Sequence, residues 1–327
     1  MKILVVGYGS IGKRHVRNLL EHTKAEVIIC TKRKDLKFKN NNVRVTDSVD
    51  EALKENPSIG FITNETVYHI PLAIKLAKSG LDLFIEKPLS SSTKGIKTLQ
   101  KIVKEKKLIV QMGFHLRFHR SIIEIRKLIK QRKIGKVISI QAENGSYFPD
   151  WHPKEDYKIS YAGKKELGGG IVLTQIHDVD YLFWIFGEVK SVFSFMGKFS
   201  DLKISTEDYC ASIIQFKKNI TAELHLDFFQ GPELRACKIK GTNGVISWNS
   251  LDNQIKFFNN KKNKWEIIFK FEKFERNQMY RDEIKHFLSC VKNRKKTING
   301  LDEGIKTMNI ALTMKKSAER SKIIELK

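Results

Sequence analysis

The sequence predicts a doubly wound α/β domain followed by an α+β domain rich in strands. Three observations carry this. The first third alternates short, wholly apolar runs with amphipathic segments, the pattern of a parallel sheet with covering helices. Beyond residue 136, strand-like runs follow one another with few helices between them. The 327 residues exceed one usual domain, and a boundary is placed at 118, giving domains 1–118 and 119–327.

The elements follow in order. Ile3 to Val6 is a buried-strand run that stops at a glycine cluster, and Ile11 to Leu20 is an amphipathic helix. Val27 to Cys30 reads as a second strand and Val43 to Val45 as a weak third. Asp50 is the expected cap of a short helix through Leu53. Ile59 to Thr63 is a strand, Thr66 to Ser79 a helix closed by Gly80, and Leu81 to Ile85 a strand. Thr93 to Lys104 and Leu108 to Gln111 complete the alternation as helix and strand. In the second domain, 137–143, 191–198, 209–216, 221–228 and 235–241 are strand-like.

Between the first strand and helix stands Gly7-Tyr8-Gly9-Ser10-Ile11-Gly12. A GxGxxG alone arises by chance, but here it ends a strand, opens a helix and begins a βαβ unit. Gly7 permits the turn, Gly9 lets a pyrophosphate approach, Gly12 packs helix on strand, and the N–H groups from Ser10 and Ile11 onward face the phosphates. A dinucleotide site in a Rossmann domain follows. The second strand ends in Cys30-Thr31-Lys32-Arg33-Lys34, with no acid before Asp35 to hold a ribose 2′-OH. Thr31, Lys32 and Arg33 suit a 2′-phosphate instead. NADP(H) is therefore favoured, with NAD(H) as the alternative. Asn64, Glu86 and Lys87, at the ends of later strands, complete the expected cofactor-facing set.

The run LDLFIEKPLS ends a buried strand in Glu86-Lys87-Pro88, at the carboxyl edge where open α/β sheets bind ligands. Pro88 keeps Lys87 extended. The expected role of Lys87 is proton exchange or polarisation of a substrate oxygen; the bland alternative is a surface ion pair at a turn. Further on, Gly168-Gly169-Gly170 leads into an apolar helix, Ile171 to Phe186. Thr174, His177, Asp180 and Trp184 are spaced by three, three and four, so a continuous helix puts them on one face.

The GYGSIG turn, the EKP tripeptide and the GGG…H..D helix, in this order and separation, resemble the Gfo/Idh/MocA oxidoreductases. The resemblance extends through GFHLRFH (113–119), 149–170 and a terminal helix around 303–319. It implies a Rossmann domain plus an α+β domain with a large open, mostly antiparallel sheet, often used for homodimers or homotetramers. It implies hydride transfer to or from an alcohol or carbonyl of a sugar, sugar acid, cyclitol or nucleotide sugar. His177 would be the acid/base, and Lys87 would polarise the same oxygen. Arg117, Tyr147, Trp151, Tyr161, Thr174 and His177 are the expected substrate contacts, aromatic rings with hydroxyls suiting a sugar. Two departures stand out: Thr174 replaces an Asp carried by many members, with Asp178 or Asp180 as substitutes, and Glu65 replaces a usual Pro.

Composition limits the rest. The net charge of +24 is spread over loops and amphipathic helices without zinc-finger or RNA-binding aromatic patterns, so no nucleic-acid partner is expected. Cys30, Cys210, Cys237 and Cys290 are far apart, and no cluster has metal spacing, so no metal is expected. No apolar run is long enough for a signal peptide or a membrane span, and a cytoplasmic protein is the simplest reading. The rivals are a non-catalytic NADP(H)-binding regulator, a biliverdin-reductase-like reductase of another unsaturated bond, and a nucleic-acid binder, which would show steeply salt-dependent binding to generic DNA.

Overall fold

The computed structural model describes residues 1–34, 36, 38, 40–151, 156–272 and 275–326. The chain begins with β1 (Lys2–Val6), α1 (Ser10–His22), β2 (Glu26–Cys30), β3 (Val43–Thr46), α2 (Val49–Lys54) and β4 (Ile59–Ile62). It continues through α3 (His69–Lys78), β5 (Asp82–Ile85), α4 (Ile96–Glu105) and β6 (Val110–Met112). The six strands form a parallel sheet in the order β3-β2-β1-β4-β5-β6. This is the dinucleotide-binding order, whose switch point lies between β1 and β4. β4 and β5 are buried throughout, because helices cover both faces and leave no polar side.

Local chemistry adjusts several expected ends. Ser48, not Asp50, caps α2, its hydroxyl accepting from the Glu51 N–H at 3.3 Å; Asp50 lies in the first turn, where its charge favours the helix dipole. The helix expected from Thr66 opens as a 3₁₀ turn, Thr66–Tyr68, before α3. The one expected from Thr93 starts at Ile96, after Gly95 at φ +79°.

The chain then forms α5 (Arg120–Lys130), β7 (Val137–Gly145), α6 (Ile171–Thr174), α7 (Ile176–Phe186), β8 (Val189–Gly197), β9 (Tyr209–Phe216) and β10 (Ile220–Asp227). It goes on through β11 (Leu234–Gly241), β12 (Gly244–Asn249), β13 (Gln254–Asn259) and β14 (Lys264–Lys270). The final elements are α8 (Arg276–Asn293), α9 (Leu301–Arg320) and β15 (Ile324–Glu325). A nine-stranded sheet runs β14-β13-β12-β11-β7-β10-β9-β8-β15, antiparallel except where β7 meets β10. Alternation along β8 and β9 buries one face and leaves Phe193, Phe195 and Ile213 exposed on the other.

Two compact units result: Met1–His115 with Arg276–Lys306, and Leu116–Glu275 with Thr307–Lys327. A single cut at 118 does not describe this division, because the chain returns to the first unit after β14. There Ile284, Phe287 and Cys290 of α8 join Val16, Leu19, Phe61 and Phe84 in one apolar cluster. Asn18 and Asn277 exchange amide hydrogen bonds at 3.2 and 2.8 Å. Asn299 closes the free edge of β6, its amide donating to the Met112 carbonyl at 2.6 Å. Among the described residues, no helix is long and apolar enough to cross a membrane.

Candidate functional site

In the first unit the site grows from three adjacent strand ends. β1 runs into Gly7, at φ +98°, where a Cβ would lie 2.6 Å from the Asn64 backbone nitrogen. A Cβ on Gly12 would overlap the Gly7 carbonyl. Both glycines are therefore demanded by the protein's own packing. Gly9 differs: among the described residues, nothing beyond its own chain neighbours lies within 4 Å of where its Cβ would stand. Its openness is what close approach by a phosphate requires. α1 starts at Ser10 with no side-chain cap and no acidic residue in its first turn, so Ile11 and its neighbours present uncapped N–H groups to an anion.

β4 supplies Thr63, whose hydroxyl donates to the carbonyls of Val6 and Gly7 at 3.0 and 2.8 Å, pinning the turn. Next comes Asn64, whose buried Oδ1 has no hydrogen-bond partner among the described residues. That orphaned acceptor beside the glycine turn fits a dinucleotide, which offers hydroxyl and amide donors. At the end of β2, Lys32 and Arg33 are exposed, and the Thr31 hydroxyl accepts from the Arg33 N–H at 3.3 Å. Asp35 lies outside the described residues.

β5 delivers Glu86-Lys87-Pro88, with a cis Lys87–Pro88 bond. Glu86 is buried, and its Oε1 sits 2.7 Å from His15 Nε2 of α1. Its other oxygen accepts from the Lys87 backbone N–H at 3.2 Å. Both oxygens of the carboxylate are thus engaged within the protein, at the strand end where the sequence places Glu86 towards the cofactor. The half-buried Lys87 follows it.

In the second unit, the helix expected from Ile171 to Phe186 breaks at Gln175 (φ −97°, ψ +26°) into α6 and α7. Thr174 ends the first piece and His177 lies in the first turn of the second; both are buried. The expected common face therefore divides. Asp180 accepts from Arg117 through both oxygens, at 2.9 Å from Nε and 2.7 Å from Nη2, and from the Thr307 hydroxyl at 3.1 Å. The Arg117 guanidinium also lies 5.5 Å from the Trp184 ring. Arg117, expected from the sequence to contact substrate, is 1% exposed and is the partner of a buried carboxylate.

Asp178 is also committed, accepting from Asn144 Nδ2 at 2.7 Å and lying 3.3 Å from Arg235 Nε. Burial raises its pKa, and the Arg235 and Asn144 contacts oppose that rise. Asp178 and Asp180, the expected substitutes for the carboxylate that Thr174 replaces, are thus both buried and paired. Of the loop residues, Tyr147 is exposed and Tyr161 half-buried. Trp151 donates to Ser146 Oγ at 2.8 Å and packs edge-on against Phe148 and Phe228. Sequence reasoning missed His69, which is buried with a backbone carbonyl near each ring nitrogen; it gave no signal beyond one His at a helix start. Among the described residues, no group of three or more His, Cys, Asp or Glu side chains is placed to hold a metal.

Comparison with known proteins decides the lineage. The model of the oxidoreductase family's NAD-binding Rossmann fold (GFO_IDH_MocA) matches residues 1–114, and that of its C-terminal alpha/beta domain matches residues 126–326. The chain belongs to the Gfo/Idh/MocA oxidoreductase family. This Gfo/Idh/MocA chain is 27% identical over 322 residues to scyllo-inositol 2-dehydrogenase (NAD(+)) of Bacillus subtilis (strain 168), covering 91% of itself and 88% of that protein. Levoglucosan dehydrogenase in complex with NADH shares its fold, with TM-score 0.89, 15% identity, and coverage of 100% and 99%. So does myo-inositol 2-dehydrogenase from Lactobacillus plantarum, with TM-score 0.84, 21% identity, and coverage of 100% and 99%.

Proposed function

We propose that this oxidoreductase moves hydride to or from a secondary alcohol or carbonyl of a sugar or cyclitol, sugar acids and nucleotide sugars included. The observation that carries the reading is the three-strand edge where an open Gly9, the orphaned Asn64 Oδ1 and Lys87 follow β1, β4 and β5. Gly7, Gly9, Ser10, Ile11, Gly12 and Asn64 are the residues that would hold the dinucleotide. When bound, the nicotinamide supplies the hydride acceptor or donor. The alcohol must lose its hydroxyl proton as hydride leaves, and the carbonyl must gain one in the reverse direction. His177 is the residue assigned to that proton. Lys87 is assigned the oxygen, whose negative charge an ammonium stabilises as it develops. Tyr147, Trp151, Tyr161 and Thr174 are the assigned sugar contacts.

The cofactor assignment is NADP(H), because the end of β2 offers Thr31, Lys32 and Arg33 where a ribose diol would need a carboxylate. The name of the B. subtilis relative, an NAD(+) enzyme, makes NADH the necessary comparison. A homodimer or homotetramer is assigned to the exposed Phe193–Phe195–Ile213 face, since water-exposed aromatic patches on a sheet favour burial by a second copy.

The test is a titration with NADPH and with NADH followed by nicotinamide fluorescence, and then a screen of inositols, anhydrosugars and sugar acids. Dinucleotide binding with turnover of a polyol that Lys87→Ala and His177→Ala each abolish supports the assignment. Binding without turnover of any polyol sinks it in favour of a regulatory protein.

A further inference from the structure

Lys87 lies between two residues that are each held by a buried histidine. On one side stands Glu86, whose Oε1 is 2.7 Å from His15 Nε2 and whose Oε2 accepts from the Lys87 N–H at 3.2 Å. A carboxylate only accepts, so His15 donates through Nε2. The carboxylate has little freedom to move, because a Cβ on Gly113 would lie 2.9 Å from its oxygens. The His15 ring is itself wedged edge-on against Phe84 at 4.9 Å. On the other side stands Pro88, whose carbonyl is 2.8 Å from His69 Nδ1. His69 Nε2 is 2.9 Å from the Asn64 carbonyl.

We propose that His15 and His69 are positioning residues for Lys87, fixing the backbone on both sides of it and tying it to the two loops that meet the dinucleotide. His15 belongs to α1, the helix that opens at the glycine turn, and His69 reaches the loop of Asn64. The lysine is thereby placed relative to the nicotinamide by the same elements that hold the dinucleotide. His69 faces two carbonyls, which only accept, so a neutral ring bonds one and a doubly protonated ring bonds both. Burial lowers its pKa, against the pull of the two carbonyls and of Glu86 and Glu65. Either state carries a donor for this bracket. Phenylalanine fills the same space with none, and glutamine keeps one N–H donor group.

This inference rests on the assignment of Lys87 as the residue at the substrate oxygen, and its test separates the two. Lysines are reductively methylated with 13C, and the Lys87 resonance is identified by its absence in Lys87→Met. That resonance is then read in the wild type, His15→Phe, His69→Phe and the corresponding Gln variants. The expected result is a shifted or broadened Lys87 resonance in both Phe variants and a return towards the wild-type position in the Gln variants. The dinucleotide Kd should stay within threefold while kcat drops at least tenfold. A Lys87 resonance in folded His15→Phe and His69→Phe that superimposes on the wild type overturns the proposal, whatever happens to turnover. Wild-type turnover by Lys87→Met sinks the catalytic assignment instead, and the resonance then decides the bracket alone.

Discussion

Arg117 offers the clearest separation of a structural from a substrate role. The residue is 1% exposed, and its guanidinium makes two bonds to Asp180, which is itself 0% exposed. Replacing it with Met leaves a buried carboxylate with the Thr307 hydroxyl at 3.1 Å. Breaking a buried pair from one side costs about 3–5 kcal/mol, far more than the pair's net worth, because an uncompensated charge stays behind. That corresponds to roughly two to four orders of magnitude in the folded-to-unfolded ratio. In urea it moves the midpoint of the second unit's transition by about 1–2 M. Arg117→Met/Asp180→Leu should recover most of the loss, since the charge goes with its partner. Arg117→Lys should fall between, because an ammonium cannot form the two-pronged contact. The assay is urea denaturation followed by tryptophan fluorescence. A loss below about 0.5 kcal/mol in Arg117→Met, the ordinary range for surface changes, would refute the burial argument. A raised substrate KM at unchanged stability would return Arg117 to the substrate.

Three further outcomes are expected. Arg33→Asp should weaken NADPH binding at least tenfold more than NADH binding, read by fluorescence titration; equal losses would remove the 2′-phosphate assignment. His119 caps α5, its Nδ1 accepting from the Ser121 N–H at 3.1 Å, and burial beside Arg235 holds its pKa down at about 4. A protonated ring cannot accept that bond, so the unfolded chain binds the proton first and stability falls from pH 6.5 towards 4, by about 3 kcal/mol in all. His119→Asn, which keeps an acceptor at the cap, should flatten that acid slope in denaturation midpoints measured across this range. Phe195→Glu/Ile213→Glu should halve or quarter the mass measured by light scattering while leaving dinucleotide affinity unchanged; a mass equal to the wild type's would clear the sheet face of any role in assembly.

The first unit was legible because β1, β2 and β4 are almost wholly apolar and its glycine turn is fixed by sterics near in sequence. Ile3 to Val6 and Gly7 to Gly12 needed nothing distant to be read. Side-chain partners far apart in the chain were out of the sequence's reach. Spacing alone put Thr174, His177, Asp180 and Trp184 on one face, but Gln175 interrupts the helix and Arg117, 63 residues from Asp180, claims two of them. Glu86 is legible as a strand-end carboxylate, but only the fold brings His15 to it across 71 residues. The strands β12 to β14 carry Lys, Asn and Ser between their apolar residues, which weakened their alternation below notice. The helix α8 was missed because its buried face, Met279, Tyr280, Glu283, Ile284 and Phe287, includes a carboxylate.

The return of α8 to the first unit orders events during synthesis. A ribosome releases the parallel sheet with its glycine turn long before residue 284 emerges. Until then the apolar cluster around Phe61 and Phe84 lacks the Ile284 and Phe287 side of its packing, and β6 lacks Asn299 at its edge. The dinucleotide half, first in sequence, is thus among the last parts to close. A chain arrested near residue 118 presents an open hydrophobic wall to chaperones, with no finished nucleotide fold behind it.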